Sequence, residues 1–115
     1  LQEMNEDLFD TKTEAFDAMM QRAWRCPGCS RPVMFDNWIS QNSDKQIATA
    51  ACDCGCAYFA RIHSRKSTDK YRCHRIVYPL TDAHISFYNE RKDIVRYKAE
   101  RHAEYEAIRL QVHAC

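Results

Sequence analysis

Between Thr11 and Trp24 the apolar residues recur once per helical turn. Phe16, Met19, Met20, Ala23 and Trp24 share one face at a period of 3.6, and Thr11 with Glu14 has capping-box spacing. The pattern predicts a helix over 11–24 that turns this stripe toward a core. Beyond Pro27 the period shortens. Residues 33–39, with Phe35 and Trp38, read as a strand, and the polar run 40–45 as a turn. Residues 46–51 and 57–63 flank a cysteine-rich step, which predicts a β-hairpin with that step at its tip. Residues 64–72 read as the next turn and 73–78 as a short further strand.

Pro79 ends extended structure, and Thr81 or Asp82 is placed to cap a final helix running from 82 to about residue 112. At about 1.5 Å per residue it is roughly 45 Å long. Phe87, Ile94, Tyr105, Ile108 and Val112 give it a thin apolar seam, broken by Arg101 and several glutamates. A helix longer than its own fold can bury packs on a protein partner or a second copy, so a homodimer through the C-terminal helix is expected.

At 115 residues the chain predicts a single domain, 1–115, built from the 11–24 helix, a ribbon region 25–79 and the 81–113 helix. Apolar residues at 45% and charged residues at 29% mark a globular chain. Neither a membrane span nor a signal-peptide core is visible. A cytoplasmic location is therefore expected, with the cysteines reduced. Their odd number, seven, also argues against a closed disulfide framework.

Two of the cysteine groups have metal-ligand spacing. Cys26-Pro-Gly-Cys29 is followed, twenty-two residues on, by Cys52-Asp-Cys54-Gly-Cys56. Zinc takes four thiolates in a tetrahedron, and two turn-borne pairs can supply its corners. Cys26 and Cys29 form the first pair. The second is Cys52 with Cys56, Cys52 with Cys54, or Cys54 with Cys56. Three intervening residues including Gly55 favour Cys52 with Cys56, and Cys54 is the competitor. His63 is a candidate replacement ligand, Cys73-His74 a second soft pair, and Cys115 is expected to be free. The fold class that follows is α+β, a small zinc ribbon between two helices, with Zn2+ as cofactor. Four thiolates on one zinc carry −2, which Arg25, Arg31 and Arg61 are expected to offset.

This central part resembles the Ogr/Delta family of phage late-gene activators over residues 24–63. The shared features are the Cys-Pro-x-Cys pair, the spacing and the aromatic that follows the second pair. The resemblance implies Cys26, Cys29, Cys52 and Cys56 as ligands, Phe59 at the aromatic position, and a role in transcription. The family's second pair encloses one residue more than Cys52 and Cys56 do here.

Charge is uneven although the net value is only +1. Residues 1–17 carry six acids and one lysine, whereas residues 61–79 carry six basic side chains and one aspartate. Arg61, Arg65, Lys66, Lys70, Arg72 and Arg75, interleaved with Tyr71, form a candidate nucleic-acid-binding stripe, since basic groups displace counterions and rings stack on bases. Motifs for metalloproteases, deaminases, P-loops and nucleophile elbows are all missing, so no enzyme is expected. The expectation is a binding protein that contacts nucleic acid or the transcription machinery, or alternatively a zinc-stapled protein-interaction module.

Overall fold

A computed structural model describes residues 8–113, with side chains as far as residue 109. Residues 1–7, the side chain of Val112 and Cys115 lie outside the described residues.

Helix α1 spans Lys12–Gln21. The Thr11 hydroxyl accepts from the Glu14 amide at 3.1 Å, which satisfies one of the unpaired donors of the first turn. Ala15 and Phe16 are buried against Ile62 and Cys73, with Met19 and Met20 beside them. The helix stops short of the predicted end. Arg22 turns extended, at φ −80° and ψ 124°, and Ala23 and Trp24 leave the stripe. Trp24 instead opens β1 (Trp24–Arg25), which pairs with β2 (Pro32–Val33) around the first cysteine turn. It packs edge-on to Tyr58, ring centroids 4.7 Å apart, on the cysteine side of the sheet.

Four further strands, β3 (Ile39–Asn42), β4 (Lys45–Ala51), β5 (Ala57–Ser67) and β6 (Lys70–Pro79), form an antiparallel meander in chain order. The expected strand over 33–39 is interrupted. Phe35 and Trp38 both pack on the same core cluster, and inward residues three apart break a two-residue alternation. Asn37 takes the left-handed conformation there, at φ 55°. The predicted turn 40–45 is mostly strand, leaving only Ser43 and Asp44 as the turn. The predicted turn 64–72 likewise shrinks to Thr68 and Asp69, and β5 pairs with β6 from Tyr58↔Pro79 to Ser67↔Lys70. Residues whose composition reads as loop therefore stand on two paired strands.

Side-chain alternation along β5 divides the core. Tyr58, Ala60 and Ile62 face α1 and the cysteine turns, whereas Phe59 faces the other way with Ile47 and Tyr88. Phe59, Ile47 and Ile62 are almost wholly buried, and each contributes roughly 1.5–3 kcal/mol on that account. So few large residues make a small core, in which a metal staple has weight.

Helix α2 spans Asp82–His113. Thr81 caps it, accepting from the His84 amide at 3.2 Å. Its first turns cover the second face of the sheet: His84 stacks on Phe59 at 4.5 Å, and the Tyr88 hydroxyl donates to the Asn37 carbonyl at 2.6 Å. Farther on, Ile94, Tyr97, Tyr105 and Ile108 are exposed. The architecture is α+β, two helices with antiparallel sheets and a cysteine cluster held in turns, as in a small zinc-ribbon-like fold. No helix among the described residues is long and apolar enough to cross a membrane.

Candidate metal centre and basic face

The turn at 26–29 is closed by the Ser30 amide donating to the Cys26 carbonyl at 2.7 Å, and Ser30 itself is left-handed at φ 64°. At the hairpin tip the Cys52 amide donates to the Cys56 carbonyl at 2.7 Å, and the Gly55 amide to the Cys52 carbonyl at 2.9 Å. Gly55 takes φ 100°, which a side chain would oppose. These two turns face each other. The sulfurs of Cys26, Cys29, Cys52 and Cys54 all lie within 4.8 Å of one another. Cys54 Sγ is 3.7 Å from Cys26 Sγ, and Cys29 Sγ is 3.3 Å from Cys52 Sγ.

The fourth member of this group is thus Cys54, not the Cys56 that the spacing favours. The tight turn carries Cys54 back toward Cys26. Cys56 flanks the group: its sulfur and that of Cys26 each lie 3.7 Å from where a Cβ on Gly28 would stand. A glycine at this position leaves room for both.

The donor set fits a metal. Thiolates about 2.3 Å from a tetrahedral ion are about 3.8 Å apart, close to the spacings present. Backbone amides also point at the sulfurs, those of Gly28 and Cys29 at Cys26, that of Cys54 at Cys52 and that of Cys56 at Cys54. Such amides stabilise thiolate charge before any ion arrives. The Tyr58 hydroxyl is 2.9 Å from Cys26 Sγ, and chiefly for that reason the Cys26 thiol is lowered to about 6 against the effect of burial. At Cys52 the Cys54 amide favours the thiolate, but the Cys29 sulfur and burial together push the thiol up to about 12. Four mutually facing sulfurs, one of them holding its proton tightly, are an arrangement that a cation relieves.

The sequence reading did not place Tyr58 beside the thiols. Its hydroxyl orients a ligand from outside the group, so Tyr58→Phe should keep the ring on Trp24 yet weaken metal binding about 10–100-fold. Competition with a chromophoric chelator measures this.

The other predicted metal ligands separate. His63 stacks on His74 instead of joining the thiols, at 5.5 Å between centroids. Cys73 is buried beside Ile62, where burial pushes its thiol up to about 11, and alternation turns the exposed His74 to the opposite face. Of the arginines expected beside the cluster, Arg25 donates to the Ser30 carbonyl at 2.8 Å and Arg31 reaches Asp53 at 4.0 Å. Arg61 is on the other side of the sheet, 5.9 Å from the ring centroids of both Phe59 and Phe87.

The predicted basic stripe is split in the same way. Arg61, His63 and Arg65 of β5 share a face with Lys45 of β4 and His74 of β6. Arg72 stands opposite Arg65 in the ladder. Lys66 and Tyr71 belong to the other face, with the Lys66 ammonium 5.7 Å above the Tyr71 ring, and Lys70 pairs with Asp10. Arg75 is structural. Its guanidinium donates to the carbonyls of Met19, Arg22 and Ala23 where α1 ends, and lies 5.8 Å over Phe35. Arg75→Ala should therefore lower the unfolding free energy in urea by about 2–3 kcal/mol. Arg65→Ala should change it by less than about 0.5 kcal/mol.

Among the described residues, no ion pair engages Lys45, Arg61 or Arg65. The Nε atoms of Arg61 and Arg91 are buried without a hydrogen-bond partner among those residues, and Arg91 lies 5.0 Å over the same Phe87 ring. The sheet thus presents thiols on one side and uncompensated cations on the other. No protein-family model matches this chain, and no curated protein or solved structure matches it either.

Proposed function

We propose that this chain is a non-enzymatic, zinc-stapled nucleic-acid-binding protein, a regulator that contacts nucleic acid or the transcription machinery. Zinc is the ion that an all-thiolate tetrahedron suits best, and four thiolates leave it no open position for a substrate. The metal's task is then to fix the turn that joins β1 to β2 against the turn that joins β4 to β5. The observation that carries the reading is the face on which Lys45, Arg61 and Arg65 stand with His63 and His74, none of these three cations being in an ion pair among the described residues. Unpaired cations on a firm sheet are what a phosphate backbone neutralises. A salt series of fluorescence anisotropy with single-stranded and duplex oligonucleotides tests this. Binding that weakens steadily with salt supports it, and no binding at low salt removes it.

A second reading has its own observation. Ile94, Val95, Tyr97, Tyr105 and Ile108 are all at least 40% exposed on α2. That surface favours a protein partner or a second copy, which sedimentation of the metal-loaded chain detects.

A further inference from the structure

At the end of the sheet that α2 leaves uncovered, three strands bring Lys45, His63 and His74 side by side, because His63 pairs with both of the others. The two imidazoles stack, their planes within 14°. Together with Ser64 and Arg65 they line a cleft of about 710 Å3. One carboxylate lines the cleft, that of Asp44, and it is held by Lys12 Nζ at 2.8 Å.

The groups around His63 are therefore Lys45 from β4, Arg61 and Arg65 from its own strand, His74 and Arg72 from β6, and the Lys12–Asp44 pair at the rim. Nearly all are cations. Burial first, and then His74, Lys45, Arg61 and Arg65, hold His63 below its usual pKa. Lys45, Arg61 and Arg65, in no ion pair among the described residues, form with the two imidazoles a site that an anion completes. A tetrahedral oxyanion accepts from several of these groups at once, and its charge favours imidazolium on both rings.

We propose that this cleft binds a phosphate group of a nucleic-acid backbone, and that the His63–His74 pair takes up protons as it binds. The proposal rests on the nucleic-acid reading only for the source of the phosphate. Its sign follows from the linkage. The bound state favours charged rings, so affinity rises as pH falls through the range where the free rings are neutral. Each ring whose pKa rises by one unit on binding adds about tenfold.

The test measures dissociation constants at pH 8 and pH 6, at constant ionic strength, for a short single-stranded oligonucleotide and for sulfate. Sulfate is a tetrahedral anion that does not itself titrate in this range. The metal-loaded chain should bind both more tightly at pH 6, and H63Q/H74Q should lose that gain while keeping its salt dependence. Oligonucleotide binding that is salt-dependent but equal at both pH values overturns the proposal and leaves the nucleic-acid reading standing. Sulfate binding with the pH gain, without oligonucleotide binding, keeps the anion site and removes nucleic acid as its source. Imidazole resonances of the unsubstituted chain, titrated with and without sulfate, decide the matter even if the variant fails to fold. Raised pKa values for both rings support the proposal, and unchanged values overturn it.

Discussion

A chelator should unfold the cysteine-bearing part of this chain cooperatively, with release of one metal ion per chain. Structural zinc binding to small thiolate sites is worth about 10–16 kcal/mol at neutral pH, and that energy is largely folding energy. The segments at stake are β1, β2 and the two turns, whose sulfurs otherwise face one another within 4.8 Å. Trp24 and Trp38 pack on the cluster that contains Cys26 and Cys52, so their fluorescence reports the loss. Substitutions divide in the same way. Cys26→Ser, Cys52→Ser and Cys54→Ser should each release the ion, and Cys56→Ser should retain it. Retention by Cys54→Ser with loss by Cys56→Ser would restore the ligand set that sequence spacing favours. A chain that stays folded and metal-free in native mass spectrometry would remove the staple altogether.

The second large effect is electrostatic. Removing one phosphate-binding cation should flatten the plot of log affinity against log salt by about 0.7 to 0.9. Lys45→Ala with Arg65→Ala should therefore reduce the slope by roughly 1.4 to 1.8 and weaken binding at low salt across sequences. Neither residue is a candidate ligand, so the metal content should not change. Lys66→Ala with Lys70→Ala is the contrasting pair. Lys66 lines the same cleft but from the Tyr71 side of the sheet, and Lys70 is paired with Asp10, so the slope should change less than with the first pair. Equal effects from both pairs would mean that the basic residues act as one diffuse loop and not as a face.

Local features were legible in the sequence. The Thr11 cap, the hairpin around the cysteine step and the Pro79 boundary depend on neighbours a few residues apart. What escaped the reading depends on partners far along the chain. Tyr58 reaches Cys26 across 32 positions, and Arg75 reaches Met19 across 56. The His63–His74 stack exists only once β5 and β6 have paired. Composition misled at 64–72 because Ser, Lys and Arg read as turn, although Ile62 and Ser64 alternate with Arg61, His63 and Arg65 as a strand requires. The fourth thiol could not be chosen from spacing, because Cys52, Cys54 and Cys56 are related by the same two-residue step. In the structure the hydrogen-bonded turn at 52–56 groups the Cys54 sulfur with those of Cys26, Cys29 and Cys52.

The alternation of β5 has a further consequence. Because Tyr58, Ala60 and Ile62 point one way and Phe59, Arg61 and His63 the other, a slip of one residue between β4 and β5 would exchange the two sets. The guanidinium of Arg61 would enter the core, and Ile62 would meet water. Within the hairpin, that exchange and the short tip oppose such a slip. An ion shared with Cys26 and Cys29 ties that tip to a reference point outside the hairpin and so arrests sliding. Metal starvation then threatens more than stability, since a misaligned β5 would show its apolar side chains to other chains and seed their aggregation.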